Sequence, residues 1–303
     1  ESEYPIHDAG PYFVPYLPQD AKITVPRDFF RMAEVMRRRE TGIRRYFDAA
    51  ASVRATVDAG GYPEWREKSD TRPAEYLFLV QRSDERSQQG QLFERLTAFL
   101  KRREAPAEVF FHSGSFDVFK NPEHPQGLNL AELKQHYSTH RLVLLGDGHG
   151  LVNPYNPQIP SLLTAPIKVL SSWPRRILLT PEPVIGWSFQ EALLHRHFLI
   201  CPADTDGMLA GLEMLDRMEE YESGNYARRE AELLRLHPQP SHRYRHWETP
   251  DDHKTYLQNP EWYRWLCALA VCVQPDWALT IAIGRAIGVE VTHDGLLALS
   301  RIP

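Results

Sequence analysis

Five short, unbroken apolar runs that alternate with amphipathic stretches constrain the fold of this chain more than any other feature of its sequence. The runs lie at 76–80, 109–111, 142–145, 177–179 and 198–201. Four stretches with helical spacing of apolar residues follow or separate them, at 88–101, 130–137, 188–195 and 207–221. Unbroken apolar runs are typical of strands buried on both faces, as in parallel sheets covered by helices. The pattern predicts an α/β fold with a doubly wound, mainly parallel sheet in a domain that spans 74–222.

The segment before this domain, 1–73, has a different character. It begins with a stretch rich in proline and aromatic residues, and helical patterns follow from Asp28 to Met36 and over 49–57. Asp28 stands where it could cap the first of these helices, and the charged stretch at 64–72 is predicted to be a linker. The N-terminal flank is therefore predicted to be a helical arm.

The segment after the domain, 223–303, is predicted to be a linker and a small helical module. A helix is expected at 228–236, and a polar stretch that contains three prolines follows at 237–260. Three further helices are predicted from the spacing of apolar residues, at 261–273, 276–287 and 294–300.

Composition and charge limit the partners that such a chain could have. The formal net charge is −5, so no overall positive field would attract nucleic acid. No apolar run approaches the roughly 20 residues of a membrane span. The three cysteines lack zinc-finger or disulfide-framework spacing, so we expect a cytoplasmic protein that contacts no membrane. Because the chain lacks an initiating Met, we expect partners among other proteins or further domains of the same polypeptide. No particular small molecule is indicated.

Polar loops follow the predicted strands, and ligands of parallel sheets bind at these carboxyl ends. The run at 146–150 is Gly-Asp-Gly-His-Gly, which contains Asp147 and His149, and His112 begins an earlier strand-end loop. An acid beside a histidine could act as a general base or bind a metal, which favours a hydrolase or a nucleotide-processing enzyme. The alternative is a glycine-rich turn in which Asp147 bonds backbone amides and His112 has a structural role. No nucleophile elbow, P-loop or dinucleotide fingerprint decides between them.

The order of these elements resembles a von Willebrand factor A domain. An apolar strand, a polar loop with Ser83, a long amphipathic helix and a later strand that runs into Asp147 follow one another as in that family. There, an Asp and two Ser of the first loop hold a divalent cation with a Thr and an Asp from later loops. Here Gln81 stands in place of the leading Asp and Glu85 in place of the second Ser. The resemblance implies a degenerate metal site and no cofactor. Any bound Mg²⁺ or Ca²⁺ would be held by Ser83, Asp84 and Asp147.

A wider resemblance includes Thr180-Pro181-x-Pro183, Trp187 and the stretch at 297–301. These segments are similar to an uncharacterised region of large bacterial multidomain proteins, which carry formylglycine-generating-enzyme-like (C-type lectin-like) modules or belong to conflict-type gene clusters. The resemblance implies a non-catalytic protein-interaction, scaffolding or regulatory module. The residues expected to contact its partner are Gln81, Ser83 and Trp187.

Overall fold

The computed structural model describes residues 23–84, 86–153, 163–187, 189–219, 250–272 and 275–302. The first part of the chain contains α1 (Arg27–Met36), β1 (Arg39–Phe47), α2 (Ala49–Asp58), β2 (Glu67–Pro73), β3 (Tyr76–Gln81), α3 (Gln88–Arg102), β4 (Ala107–His112) and α4 (Leu130–Tyr137). The second part contains β5 (Arg141–Leu145), α5 (Pro166–Leu170), β6 (Arg176–Thr180), α6 (Phe189–Leu194), β7 (Leu199–Pro202), α7 (Thr205–Arg217), α8 (Pro250–Leu257), α9 (Pro260–Leu269), α10 (Trp277–Ala286) and α11 (His293–Leu299).

Five parallel strands form the central sheet, in the order β4-β3-β5-β6-β7. Numbered along the chain, these strands are arranged 2-1-3-4-5, which is one of the common orders of doubly wound sheets. The predicted α/β fold with a parallel sheet flanked by helices is therefore confirmed. The strand order reverses between β3 and β5, so the crevice beside their carboxyl ends is the place where such sheets bind ligands.

Two apolar layers cover the sheet because successive side chains of a strand point to opposite faces. In β3, Phe78 and Val80 belong to one buried cluster and Leu77 and Leu79 to the other. The first cluster also contains residues of α1, α3, α7, α9, α10 and α11. The helix α1, before the predicted domain, and the helices α9, α10 and α11, after it, therefore pack on the same face of the sheet.

The N-terminal flank differs from its prediction in two respects. The stretch expected to be a charged linker, 64–72, largely forms β2, which pairs antiparallel with β1. This ribbon was missed because its residues are mostly charged and exposed, so no apolar alternation marks it. In addition, the N-cap of α1 is Pro26, and Asp28 lies within the first helical turn. The predicted arm before Ile23 lies outside the described residues.

The C-terminal flank contains the three predicted helices, as α9, α10 and α11. A further helix, α8, occupies the end of the segment that was predicted to be a linker, and the helix expected at 228–236 lies outside the described residues. The side-chain amide of Gln88 in α3 donates to Thr280 Oγ1 in α10 (3.3 Å), and Thr205 donates twice to Asp294. These bonds join α10 to α3 and α11 to α7, the two helices of the predicted domain that pack on this face of the sheet. Among the helices that the structure describes, none is long and apolar enough to cross a bilayer.

Candidate functional site

Three of the residues singled out in the sequence meet at the carboxyl edge of the sheet. Gln81 ends β3 and pairs in register with His112, which ends β4. Asp147 lies two residues beyond β5, on the other side of β3. Parallel strands place their carboxyl ends at one edge, so the side chains of these residues lie at the topological switch point.

The central contact of this group is a pair of hydrogen bonds between Gln81 and Asp147. The Gln81 amide Nε2 donates to Asp147 Oδ2 (2.8 Å), and the backbone N–H of Asp147 donates to Gln81 Oε1 (2.9 Å). The two bonds define the orientation of the amide, because the opposite orientation would set acceptor against acceptor and donor against donor. The other carboxylate oxygen, Oδ1, accepts from the backbone N–H of His149 (2.8 Å). Both oxygens of Asp147 therefore already have donors.

Glycines let the loop after β5 approach its neighbours closely. Gly148 adopts a left-handed conformation with φ +69°, which strains residues that have a Cβ. A Cβ at Gly150 would overlap the carbonyl oxygen of Gly114 in the loop after β4. The glycines of the run at 146–150 thus serve a tight turn packed on a neighbouring loop.

His112 is buried in an aromatic environment. Its ring lies 4.4 Å from the ring of Phe116, which adopts the left-handed region with φ 59°. The Nδ1 atom accepts a hydrogen bond from the backbone N–H of Gly114 (3.1 Å). Burial lowers the pKa of His112 to about 4, although the nearby charge of Asp147 acts in the opposite direction. The imidazole is therefore neutral near pH 7, and the lone pair of its unprotonated Nδ1 atom already accepts a hydrogen bond.

The remaining predicted site residues do not join this group. The side chain of His149 is exposed, and only its backbone bonds to Asp147. Ser83 and Asp84 are exposed, and Asp84 Oδ1 accepts from the backbone N–H of Arg86 (2.7 Å) within its own turn. Trp187 donates from Nε1 to the carbonyl oxygen of Glu182 (3.1 Å) and lines a cavity on the flank of the sheet. Glu85 lies outside the described residues.

The donor set at the strand ends does not fit a divalent cation. Mg²⁺ and Ca²⁺ require several oxygen ligands around one point. Here an N–H donor of Gln81 points at the Asp147 carboxylate, and a second N–H occupies its other oxygen. Across the part of the chain that the structure describes, no group of three or more His, Cys, Asp or Glu residues could hold a metal.

One contact of the site was missed in the sequence. Gln190, in the first turn of α6, donates from Nε2 to the carbonyl oxygen of Asp147 (2.7 Å) and joins α6 to the loop after β5. A polar residue in the first turn of a helix is common, so its sequence context carried no signal for this role. The chain matches no protein-family model, and no curated protein or solved structure is significantly similar to it.

Proposed function

We propose that this chain is a non-catalytic protein-interaction module with a von Willebrand factor A-like domain and a degenerate metal site. It would act as a scaffolding or regulatory part of a larger bacterial multidomain protein, in a defence or conflict system. The observation that carries the non-catalytic part is the Gln81–Asp147 pair, which engages the Asp147 carboxylate at the switch point.

The geometry gives less support to the alternative of a hydrolase or nucleotide-processing enzyme. A general base needs an available lone pair within hydrogen-bond reach of the substrate proton. Each oxygen of Asp147 already accepts one backbone or amide N–H group, so fewer of its lone pairs are available, and the Nδ1 atom of His112 accepts from Gly114. A pKa of about 4 also makes His112 a weak base at neutral pH.

An exposed apolar surface supports the interaction part of the proposal. We call it the ribbon patch: Phe47 at the end of β1, Val53 and Val57 on α2, and Trp65 in the α2–β2 connection, which line one shallow groove and are each more than half exposed. The rings of Phe47 and Trp65 lie 5.3 Å apart. Apolar side chains that cluster on the surface mark interaction sites more often than single exposed ones do. Gln81, Ser83 and Trp187 stay predicted contact residues, and the side chain of Gln81 also bonds Asp147.

Metal binding and turnover test the non-catalytic part. In calorimetric titrations with Mg²⁺, Mn²⁺ and Ca²⁺, we expect no saturable binding. Gln81→Asp, which replaces the amide donor with a second carboxylate, should gain affinity for Mg²⁺ if the site is a decayed metal site. Stoichiometric binding by the unaltered chain that is lost in Asp147→Ala would contradict the proposal. So would turnover of a phosphoester, peptide or ester substrate that disappears in His112→Ala or His149→Ala.

Photo-crosslinking tests the interaction part. A photoreactive benzoylphenylalanine in place of Trp65, in the cell that produces the protein, is expected to give one discrete crosslinked species that Phe47→Ser removes. The matched control is the same residue in place of Val271, which is 84% exposed but lies outside the ribbon patch. Equal crosslinking from both positions, or none from position 65, would reject the ribbon patch as the contact surface.

A further inference from the structure

The helix α2 turns its apolar side away from the protein. Of its ten residues, all of which the structure describes, the buried one is Ser52, whereas Val53 is 63% exposed and Val57 is 69% exposed. A surface helix ordinarily directs its apolar stripe towards the core, as α1 does. The reversed orientation of α2 indicates that its apolar stripe serves a contact outside the fold described above.

Hydrogen bonds attach α2 to the start of β2. Ser52 Oγ accepts from the backbone N–H of Arg66 (2.8 Å) and donates to the carbonyl oxygen of the same residue (3.3 Å). The backbone N–H of Asp48, the N-cap of α2, donates to that carbonyl oxygen as well (2.8 Å). At about 100° per residue, Ser52 lies on a different side of α2 from Val53 and Val57. These bonds therefore leave both valines open to a partner.

The open stripe has the spacing of a helix–helix contact. Ala50, Val53 and Val57 are exposed and stand at i, i+3 and i+7, which places them on one side of the helix. Phe47 and Trp65 lie beside the valines and line the same groove. A stripe with this spacing can pack against a second helix that carries a similar stripe.

Charged side chains near the groove are already paired with one another. Arg45 lies 3.5 Å from Glu67, and Arg66 lies 2.7 Å from Glu64. A strongly acidic or basic partner would be repelled by one member of each pair as much as it is attracted by the other. A second copy of this chain brings the same balance of charge, so neither copy repels the other.

A second copy also complements the remaining charges of α2. Arg54 and Asp58 are exposed, stand four residues apart, and lie on the side of α2 away from the groove. In an antiparallel pair of α2 helices, a two-fold axis through the stripe brings the same edge of both helices together in reversed order. Arg54 of each copy then lies opposite Asp58 of the other, so the surface is complementary to itself.

We propose that the ribbon patch and the stripe of α2 form the interface of a two-fold homodimer, with the two α2 helices antiparallel. This inference rests on the proposed function, because it names the partner of the same surface. Exposed fractions of 56% and 76% leave about 200–330 Å² of Phe47 and Trp65 uncovered, and the stripe of α2 adds to this area. Such an area belongs to the small, readily dissociating interfaces, below about 1,200 Å² in total. The dimer therefore dissociates at micromolar concentrations.

Sedimentation equilibrium of the 303-residue chain tests this interface. Between about 5 µM and about 500 µM, the average mass should rise from 35.0 kDa towards twice that value. The double substitution Val53→Ser and Val57→Ser should weaken association about tenfold or more, because the stripe becomes polar. The matched control is Val271→Ser, at a valine that is 84% exposed outside the ribbon patch, and it should leave the mass curve unchanged.

Charge reversal on α2 tests the antiparallel geometry. Arg54→Asp and Asp58→Arg each turn two attractive contacts into repulsive ones, so each variant alone should associate about tenfold more weakly. An equimolar mixture of the two variants restores both opposite-charge pairs. The mixture should form a heterodimer with about the affinity of the unaltered chain.

Three results would overturn the homodimer: a chain that stays monomeric up to about 500 µM, a mixture that associates no better than its components, or an equal loss of association in Val271→Ser. The crosslink from benzoylphenylalanine at position 65 separates this failure from that of the proposed function. A crosslinked species other than a dimer of this chain contradicts the homodimer alone. The absence of any crosslink from position 65 contradicts the homodimer and the contact surface of the proposed function together.

Discussion

The two ends of the parallel sheet hold their polar and charged side chains in different ways. At the carboxyl end, one carboxylate meets an amide, backbone N–H groups and a neutral histidine. At the amino end, charged side chains meet in an ion-pair network of Arg38, Glu40, Arg72, Arg141, Arg175 and Asp216. Charge is therefore concentrated at the end of the sheet where parallel strands do not usually bind ligands.

Arg141, at the start of β5, is the centre of the amino-end network. Its Nη1 atom donates to Tyr76 Oη (2.6 Å) and to Asp216 Oδ1 (2.8 Å), and its Nη2 atom lies 3.4 Å from Glu40 Oε2. Glu40 Oε2 also accepts a hydrogen bond from Arg175 Nη1 (2.6 Å). Burial tends to raise the pKa of Glu40, but Arg175 and the other arginines outweigh it, so the pKa of this carboxyl is lowered. The network ties the β1–β2 ribbon and α7 to the sheet.

The comparison shows that a dense group of charged side chains does not by itself indicate a ligand-binding site. Each acid of the amino-end network has an arginine partner, so the network has the character of a structural joint. At the carboxyl end, hydrogen bonds hold the Asp147 carboxylate against Gln81 and its own loop. The ribbon patch lies apart from both ends of the sheet.

The largest expected effect is at the amino end. Arg141→Met would leave the Tyr76 hydroxyl without this partner, Asp216 with Arg38 alone and Glu40 with Arg72 and Arg175. Removing one partner of a buried ion pair costs about 3–5 kcal/mol, and the Arg141 side chain is only 4% exposed. The free energy of unfolding, measured by urea titration at pH 7, should fall by up to that amount, because Asp216 and Glu40 keep other arginine partners.

The matched control is an exposed pair of the same ribbon. Arg45 and Glu67 lie 3.5 Å apart with side chains 72% and 60% exposed, and such pairs contribute about 0–1 kcal/mol. Arg45→Gln should therefore change the stability by less than about 0.5 kcal/mol. Comparable losses in Arg141→Met and Arg45→Gln would show that the network is not a structural joint.

The sequence predicted the elements whose own residues show a regular pattern of apolar side chains. The strand at 76–80 was predicted because five consecutive residues are buried, which requires an unbroken apolar run. Gln81, His112 and Asp147 were placed near one another because parallel strands share an edge. The β1–β2 ribbon was missed, since exposed strands held by backbone bonds need no apolar alternation. The contact of Gln190 with Asp147 joins segments that are distant in sequence, and no local pattern encodes it.

The second effect, smaller than that of Arg141, is at the carboxyl end and depends on pH. The pKa of His112 is about 4 in the folded protein and about 6.5 in an unfolded chain, so folding favours the neutral ring. Its contribution is complete above pH 6.5 and is lost as the pH falls through 6.5 towards 4. A difference of this size corresponds to about 3 kcal/mol at most.

The measurement is the change in unfolding free energy between pH 7 and pH 4, compared between the unaltered chain and His112→Asn. Asn keeps an acceptor for the N–H of Gly114 but cannot be protonated in this range. Other histidines whose pKa is lowered by burial, such as His293 and His197, titrate in both proteins and cancel in the difference. The variant should lose less stability on acidification, by up to about 3 kcal/mol, and His149→Asn, at an exposed histidine, should behave like the unaltered chain. Parallel pH curves for the unaltered chain and His112→Asn would mean that His112 takes up a proton in place, and the carboxyl end would then have to be regarded as open to water and to ligands.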